Sequence, residues 1–467
     1  MLGSLNLLAS ADAHHEVSTS VTLMFSAILV ALILTLALEE KIHAKKSIIV
    51  GVYAVVCLML AMVFELEPGR VDVHIGAETL TIPVYIPAID WGVILIILGS
   101  SIFVDVTSKS GLFTWVAIKL TKMSGGDPKK LLWYYALMTV VFSAVLNNVT
   151  AMIIVGSLTG VSLRKLQRDN LMLGFLVIEG LLTNIGGLLT LISSVPNIIV
   201  GTAAGISFVA FFVAAAPYVV VATIATTWLG ARLFAVQGLK TEREREEAAE
   251  LVAGFDENDG IESMGFFYFG ATMLGLFIVV IATTSVLPYV SDLGMGYVAM
   301  TFAVAMLLRY KSTVDTFYKA LDWDLIGFFA GLFVVISVME HAQVLTLIGK
   351  GLAVVIDLGD TLGTGLILLA AAAFSSVTDN IPLAAMLAKI LSALDKPADS
   401  PLWWSVVFGA NLGGNLTPIG SASTLVAVTI MHKNDLKVSF AGFVKLALPY
   451  ALLQIGLATL YVLVVLA

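Results

Sequence analysis

Long apolar stretches alternate with short polar connections along most of the chain. A membrane-crossing helix needs about 20 apolar residues, and the length of the chain leaves room for roughly 10 to 13 such crossings. The hydrophobic pattern therefore predicts a polytopic, all-α membrane protein. We expect the principal spans at 21–38, 48–65, 91–106, 131–146, 171–182, 208–229, 264–287, 295–308, 325–339, 362–377 and 440–466.

Four further apolar stretches are too short to span a membrane or are interrupted by Gly, Pro and Asn. Irregular backbone is tolerated at membrane depth only where protein buries it or where it lines a cavity. These stretches therefore predict re-entrant or discontinuous helices, at 151–161, 188–204, 381–394 and 416–431.

Composition narrows the class of protein. Of the 467 residues, 59% are hydrophobic and 12% are charged, against roughly 25% charged in soluble domains, which excludes a soluble enzyme with a single anchor. The net charge is −8 without a dense basic run, so nucleic acid is not an expected partner. Cys57 is the only cysteine, which excludes disulfides and cysteine metal centres, and no cofactor is expected.

Two polar segments indicate the orientation of the chain in the membrane and the boundary between its two halves. The Lys-rich loop 41–46 is expected in the cytoplasm by the positive-inside rule, with the N-terminus outside and no cleaved signal peptide. The charged segment 237–263 reads as a surface helix or as a solvated linker, and its low apolar content favours the linker. We expect scaffold segments at 1–87 and 264–319, and transport cores at 88–236 and 320–467.

The two predicted cores repeat one another. The motif SAVLNNVT at 143–150 recurs 232 residues later as SSVTDNIP at 375–382, and Asp90-Trp91 recurs as Asp322-Trp323 at the same offset. NIGGLLTLI at 184–192 recurs as NLGGNLTPI at 411–419, 227 residues later. Apolar low complexity does not explain matched Asn, Thr and Gly-Gly positions. Corresponding interrupted segments in two halves point to a secondary transporter with its site near the bilayer midplane.

The repeated motifs supply the candidate binding residues. Broken helices expose backbone groups and neighbouring polar side chains as ion ligands, although Asn, Ser and Thr also hold transmembrane helices together. Because the clusters are duplicated, we favour the binding interpretation. The candidates are Ser143, Asn147, Asn148, Thr150, Asn184, Thr190, Asn197, Ser376, Thr378, Asp379, Asn380, Asn411, Asn415, Thr417 and Ser421.

Intramembrane carboxylates give the candidates for charge transfer. A charged Asp at a helix centre costs about 2.5 to 3.5 kcal/mol, so Asp379 is expected to carry a proton or Na+, with a helix N-cap as the compatible alternative. Glu179 and Asp105 are candidate proton relays. Each is equally compatible with a structural pairing, as of Asp105 with Lys109.

These motifs resemble the ion transporter superfamily, which includes arsenite permeases, citrate-metal and dicarboxylate symporters, the P protein and D-type sodium/proton antiporters. The similar residues are 143–150, Asn184–Gly187 with Pro196-Asn197, 376–382 and 409–421. The resemblance implies inverted repeats, two re-entrant hairpins, a homodimer and alternating access. Members often carry Asp at the place of Asn147 and a GDPPN loop where this chain has SSVPN, so two acidic groups have become Asn147 and Ser194.

Several functions remain open at this point. The absence of Lys and Arg beside the polar clusters favours a Na+/H+ antiporter. The alternative is a Na+- or H+-coupled carrier of a small anion such as arsenite, citrate or another di- or tricarboxylate. A channel or an intramembrane enzyme is weaker, since no filter loop or catalytic motif is present. We expect a multi-pass protein of a prokaryotic plasma membrane.

Overall fold

A computed structural model of the chain describes residues 17–76, 78–378 and 380–466. Within these residues, nine helices are long and apolar enough to cross a membrane. The protein is an integral, multi-pass helical membrane protein, as the hydrophobic pattern predicts. Asp379 lies outside the described residues.

The N-terminal segment combines helices with a small hairpin. Its elements are α1 (Thr19–Ala37), α2 (Glu39–Ile42), α3 (Lys46–Val63), β1 (Arg70–Ile75), β2 (Glu78–Pro83) and α4 (Tyr85–Ala88). The strands are antiparallel with Arg70 opposite Pro83. Asp72 accepts a 2.6 Å hydrogen bond from the Thr81 hydroxyl across the pair. The sequence predictions did not include this hairpin.

The next helices form the first core unit: α5 (Trp91–Ser108), α6 (Leu112–Ser124), α7 (Pro128–Val145), α8 (Asn148–Lys165), α9 (Met172–Gly187), α10 (Val195–Ala203) and α11 (Phe208–Leu233). Between the two units lie α12 (Glu242–Ala253), α13 (Met264–Thr283), α14 (Val290–Leu307) and α15 (Asp315–Ala320). Short 3₁₀ turns occupy Asp169–Leu171 and Leu308–Tyr310.

The second core unit repeats the order of the first. Its helices are α16 (Trp323–His341), α17 (Val344–Ile356), α18 (Asp360–Ser375), α19 (Asn380–Ala393), α20 (Pro401–Gly413), α21 (Ala422–Lys433) and α22 (Phe440–Val465). Corresponding helices begin 232 residues apart at Trp91 and Trp323, Leu112 and Val344, Asn148 and Asn380, and Phe208 and Phe440.

Each unit packs against a helix from outside it. Helix α5 packs along α14, and α16 packs along α3. A methyl group added at Gly99 would lie 2.5 Å from the backbone carbon of Ala299, so this glycine permits the close α5–α14 contact. Helices α3 and α14 thus have equivalent neighbours in the two units.

Within the segment 237–263, the structure has helix α12 at Glu242–Ala253, so the surface-helix alternative applies there and the preference for a solvated linker is corrected. The first turn of α12 has a capping box, in which Thr241 and Glu244 satisfy each other's backbone N–H groups. Buried Ala248 and Val252 pack against Gly126. Two apolar side chains one turn apart are a weak sequence signal, but they anchor this helix to the first core unit.

Candidate functional site

Two polar hairpin tips lie between consecutive short helices. In the first, α7 ends at Val145 and α8 begins at Asn148, with Asn147 as N-cap. The Asn147 Oδ1 accepts a 2.8 Å hydrogen bond from the Thr150 backbone N–H. The second tip connects α18 to α19, and its described residues include Ser376 and Thr378.

Each unit also has one helix that is interrupted next to its hairpin tip. Helix α9 ends at Gly187 and α10 begins at Val195, while α20 ends at Gly413 and α21 begins at Ala422. A methyl group added at Gly413 would lie 2.2 Å from a carbonyl oxygen of α18. The Gly-Gly motif therefore allows the interrupted helix to cross the hairpin helix closely.

Equivalent hydrogen bonds hold tip and interruption together in both units. The Ser143 hydroxyl donates to the Thr183 carbonyl oxygen at 2.6 Å, and the Ser375 hydroxyl donates to the Ala410 carbonyl oxygen at 2.5 Å. The hydroxyls of Thr190 and Thr417 donate at 2.5 Å to the carbonyl oxygens of Ala144 and Ser376. These bonds are internal to each unit and give the hydroxyls a structural role.

A second set of hydrogen bonds joins one unit to the other. The Asn184 Nδ2 donates to Ser421 Oγ at 2.9 Å, and the Ser194 hydroxyl donates to Asn411 Oδ1 at 2.7 Å. Asn411 also donates to Asn197 Oδ1 at 2.9 Å. The interrupted helices of the two halves therefore meet at one buried centre.

Asn184 makes four side-chain hydrogen bonds within that centre. Its Nδ2 donates to Asn415 Oδ1 at 2.7 Å as well as to Ser421. Its Oδ1 accepts from Asn148 Nδ2 at 3.2 Å and from the Ser423 hydroxyl at 3.0 Å. Both amide hydrogens and both oxygen lone pairs are used, so this side chain positions its neighbours.

Gln454 extends the network and was missed by the sequence predictions. It is fully buried in α22, where its Oε1 accepts from Asn415 Nδ2 at 2.8 Å. Its Nε2 donates to the Thr226 hydroxyl at 3.0 Å. A glutamine inside a 26-residue apolar helix was the available signal.

A cavity of about 370 Å³, here called the central cavity, opens beside this network. Its wall contains the first residues of α8, α10, α16, α19 and α21, together with part of α5. The predicted site residues in its wall are Asp105, Asn147, Asn148, Thr150, Asn184, Asn380 and Ser421.

The remaining candidates lie behind the wall or outside the described chain. Those absent from the lining are Ser143, Glu179, Thr190, Asn197, Ser376, Thr378, Asn411, Asn415 and Thr417. Glu179 is fully buried, and its Oε1 accepts a 2.6 Å hydrogen bond from the Thr159 hydroxyl. Its other oxygen has no partner among the described residues.

Four polar side chains in the cavity wall make no hydrogen bond or ion pair with another described residue: Ser101, Asp105, Thr150 and Asn380. The wall contains the carboxylates of Asp105 and Asp322 but no Lys, Arg or His among its described residues. No group of three or more His, Cys, Asp or Glu side chains suited to a metal occurs in the described parts of the chain. The wall therefore offers oxygen ligands and negative charge.

Paired interrupted helices and a polar cavity lined by residues of both core units are typical of membrane transporters. Comparison with known proteins supports this class. The citrate transporter family (CitMHS) matches residues 36–409, and the chain belongs to this family.

Similar proteins include an uncharacterized transporter of Mycobacterium tuberculosis, 28% identical over 80% of this chain and 86% of that protein. The mouse P protein is 24% identical over 92% of this chain and 61% of its own length. The solved YdaH transporter of Alcanivorax borkumensis has a TM-score of 0.58 and 14% identity, covering 90% of this chain and 98% of that one. MtrF of Neisseria gonorrhoeae has a TM-score of 0.54 at 14% identity, with 90% and 95% covered. The two structures show the fold.

Proposed function

We propose that the protein is a secondary transporter that exchanges Na+ for H+ through the central cavity by alternating access. The observation that carries this proposal is the set of unpartnered side chains in the wall. Asp105, Ser101 and Asn380 present oxygen atoms, and no basic side chain lines the described wall. Hard cations prefer such oxygen ligands, and a carboxylate exchanges a proton for a cation.

The pairing of helix ends also supports alternating access with inverted units. Helices α8 and α21 end together, since Arg164 donates a hydrogen bond to Asn434. Helices α10 and α19 end together at a second cavity, whose wall includes Ala203 and Ala393. Because α19 is the counterpart of α8 and α21 the counterpart of α10, these pairings support units of opposite orientation.

We infer that the central cavity opens to the cytoplasm. Asp322 lines it at the start of α16, and Asp324 accepts a 2.6 Å hydrogen bond from the Ser47 hydroxyl. Ser47 directly follows the Lys-rich loop 41–46, which the positive-inside rule assigns to the cytoplasm. The second cavity lies at the opposite end of α16, beside Glu340, and its wall includes no residue of the Asn184 network.

One observation favours a second candidate, a cation-coupled citrate carrier. The helix N-termini in the cavity wall carry partial positive charge and bind anions without Lys or Arg. The family description names citrate as the transported molecule. An anion would then occupy the cavity together with its coupling cation.

Proteoliposomes containing a trapped pH dye separate the two candidates. For an antiporter, Na+ added outside drives protons out and makes the lumen alkaline without any other solute. The variant Asp105→Asn removes one of the two carboxylates of the described wall and should strongly weaken the response, whereas Asp169→Asn, which changes an exposed acid outside the cavity wall, should retain it. A response that requires citrate together with Na+ or H+ would overturn the antiport proposal in favour of the carrier.

A further inference from the structure

A separate cavity of about 440 Å³ lies between α8 and α21, and we call it the basic cavity. Its wall at the ends of the two helices is formed by Arg164, Lys433 and Asn434. Farther from those ends, the wall contains Ile153 and Val161, which are 48% and 52% exposed. The cavity thus has cations at one end and exposed aliphatic side chains along the rest.

The charges at this end are not balanced within the cavity. Arg164 donates to Asn434, and its Nε lies 4.0 Å from an Asp169 carboxylate oxygen outside the cavity wall. Lys433 makes no ion pair or hydrogen bond through its ammonium group with another described residue, and it is exposed. The basic cavity therefore retains positive charge.

The cavity at the opposite end of the interrupted helices lacks this surplus. Its lysine, Lys389, pairs with Glu340 at 3.2 Å. Cations near helix C-termini also stabilise the helix ends, but that effect does not account for a cavity with exposed aliphatic walls. Unbalanced cations at one end and exposed aliphatic side chains along the rest together match a phospholipid, which has an anionic phosphate attached to acyl chains.

We propose that the basic cavity binds an anionic phospholipid of the cytoplasmic leaflet. The phosphate contacts Arg164 and Lys433, and an acyl chain covers Ile153 and Val161. Basic cavities between transmembrane helices on the cytoplasmic side suit such headgroups. Ile153 also lines the central cavity, so the bound lipid lies beside the cytoplasmic entrance.

The test is binding to the purified, delipidated full chain, measured by native mass spectrometry and by thermal shift. Phosphatidylglycerol should bind and stabilise the protein more than phosphatidylcholine. Removing each cation in Arg164→Gln and Lys433→Gln should weaken phosphatidylglycerol binding about fivefold, with roughly 25-fold loss in the double variant. Lys437→Gln, an exposed cation outside the cavity wall, should bind as the wild type does.

Two controls keep the outcome unambiguous. Arg164→Lys retains the positive charge and should preserve the lipid preference even if Arg164→Gln folds poorly. Inorganic phosphate tests a free anion as the occupant. Equal stabilisation by phosphate at the same residues, or no difference between the two lipids, would overturn the lipid proposal. Binding is measured without transport, so its failure is distinct from failure of the proposed antiport.

Discussion

The structure separates the polar side chains of the site into those with all their hydrogen bonds made and those without partners. Asn184 and Asn380 represent the two kinds. Asn184→Ala should mainly destabilise the protein, because four hydrogen bonds end at its amide. Asn380→Ala should mainly weaken apparent Na+ affinity, because its amide faces the cavity without a partner among the described residues.

The magnitude follows from what Asn184→Ala leaves behind. Asn415 Oδ1 loses its only donor among the described residues at a fully buried position, which costs about 1–3 kcal/mol. Asn148 faces the cavity, where water can replace the lost contact. Ser421 and Ser423 lose their bonds to Asn184 but retain the hydrogen bond between their own hydroxyls. Adding about 1 kcal/mol for each of the bonds that Ser421 and Ser423 lose to Asn184 gives a total of about 3–5 kcal/mol.

The assay is the melting temperature in detergent, paired with transport rate against Na+ concentration in proteoliposomes. A loss of about 3–5 kcal/mol should lower Tm by roughly 3–5 °C in a chain of this size. Asn380→Ala should change Tm by less than about 2 °C while raising the Na+ concentration at half-maximal rate. If Asn184→Ala instead keeps its Tm and loses apparent Na+ affinity, the number of hydrogen-bond partners of a side chain does not distinguish positioning residues from binding residues.

Other parts of the structure give independent predictions. Gly413→Ala should lower Tm by roughly 1–3 °C through a steric cost of about 1–3 kcal/mol, whereas Gly456→Ala, where an added methyl group meets no atom within 4 Å, should not. Asp105→Asn should reduce Na+ affinity and flatten the dependence of transport rate on pH, and an unchanged pH profile would exclude this carboxylate from exchange. The hydrogen bond from Lys122 lowers the pKa of Glu257, so their contact is retained above the ordinary pKa and lost as pH falls through the lowered value. The protection of backbone amides in the segment 254–262 against hydrogen exchange, corrected for the intrinsic rate at each pH, should therefore fall on acidification, but not in Glu257→Gln.

The sequence predicted the membrane class and the interrupted helices because both depend on local composition. Gly, Pro and Asn within apolar stretches mark where a helix cannot continue, and duplication made Asn184 and Asn411 visible together. Hydrogen-bond satisfaction is different, since it depends on contacts between residues more than 200 positions apart. Asn184 and Asn380 therefore looked equivalent in the sequence, although of the two only Asn380 leaves its amide without a partner in the part of the chain that the structure describes.

The position of Asp105 in the cavity wall also could not be predicted from the sequence. Asp105 lies outside the duplicated polar motifs, and its spacing from Lys109 permitted a helical ion pair, but no such pair within 4.0 Å is present. The carboxylate instead lines the central cavity together with Asn147. Only the tertiary arrangement brings a residue of α5 to the tip of the hairpin between α7 and α8.

This arrangement gives a reason for the departure at Asn147, where similar transporters often carry an acid. We infer that Asp105 supplies the carboxylate that the first hairpin tip lacks, because both residues line the same cavity. Moving the acid back in Asp105→Asn/Asn147→Asp should restore part of the transport that Asp105→Asn removes, and Asp at 147 retains the helix cap. Adding the second acid alone in Asn147→Asp should shift the pH optimum, since two carboxylates in one desolvated site titrate as a coupled pair. The measurement is transport rate against pH at equal protein incorporation. A double variant as inactive as Asp105→Asn, with an unshifted optimum in Asn147→Asp, would show that the two positions do not serve one ion site.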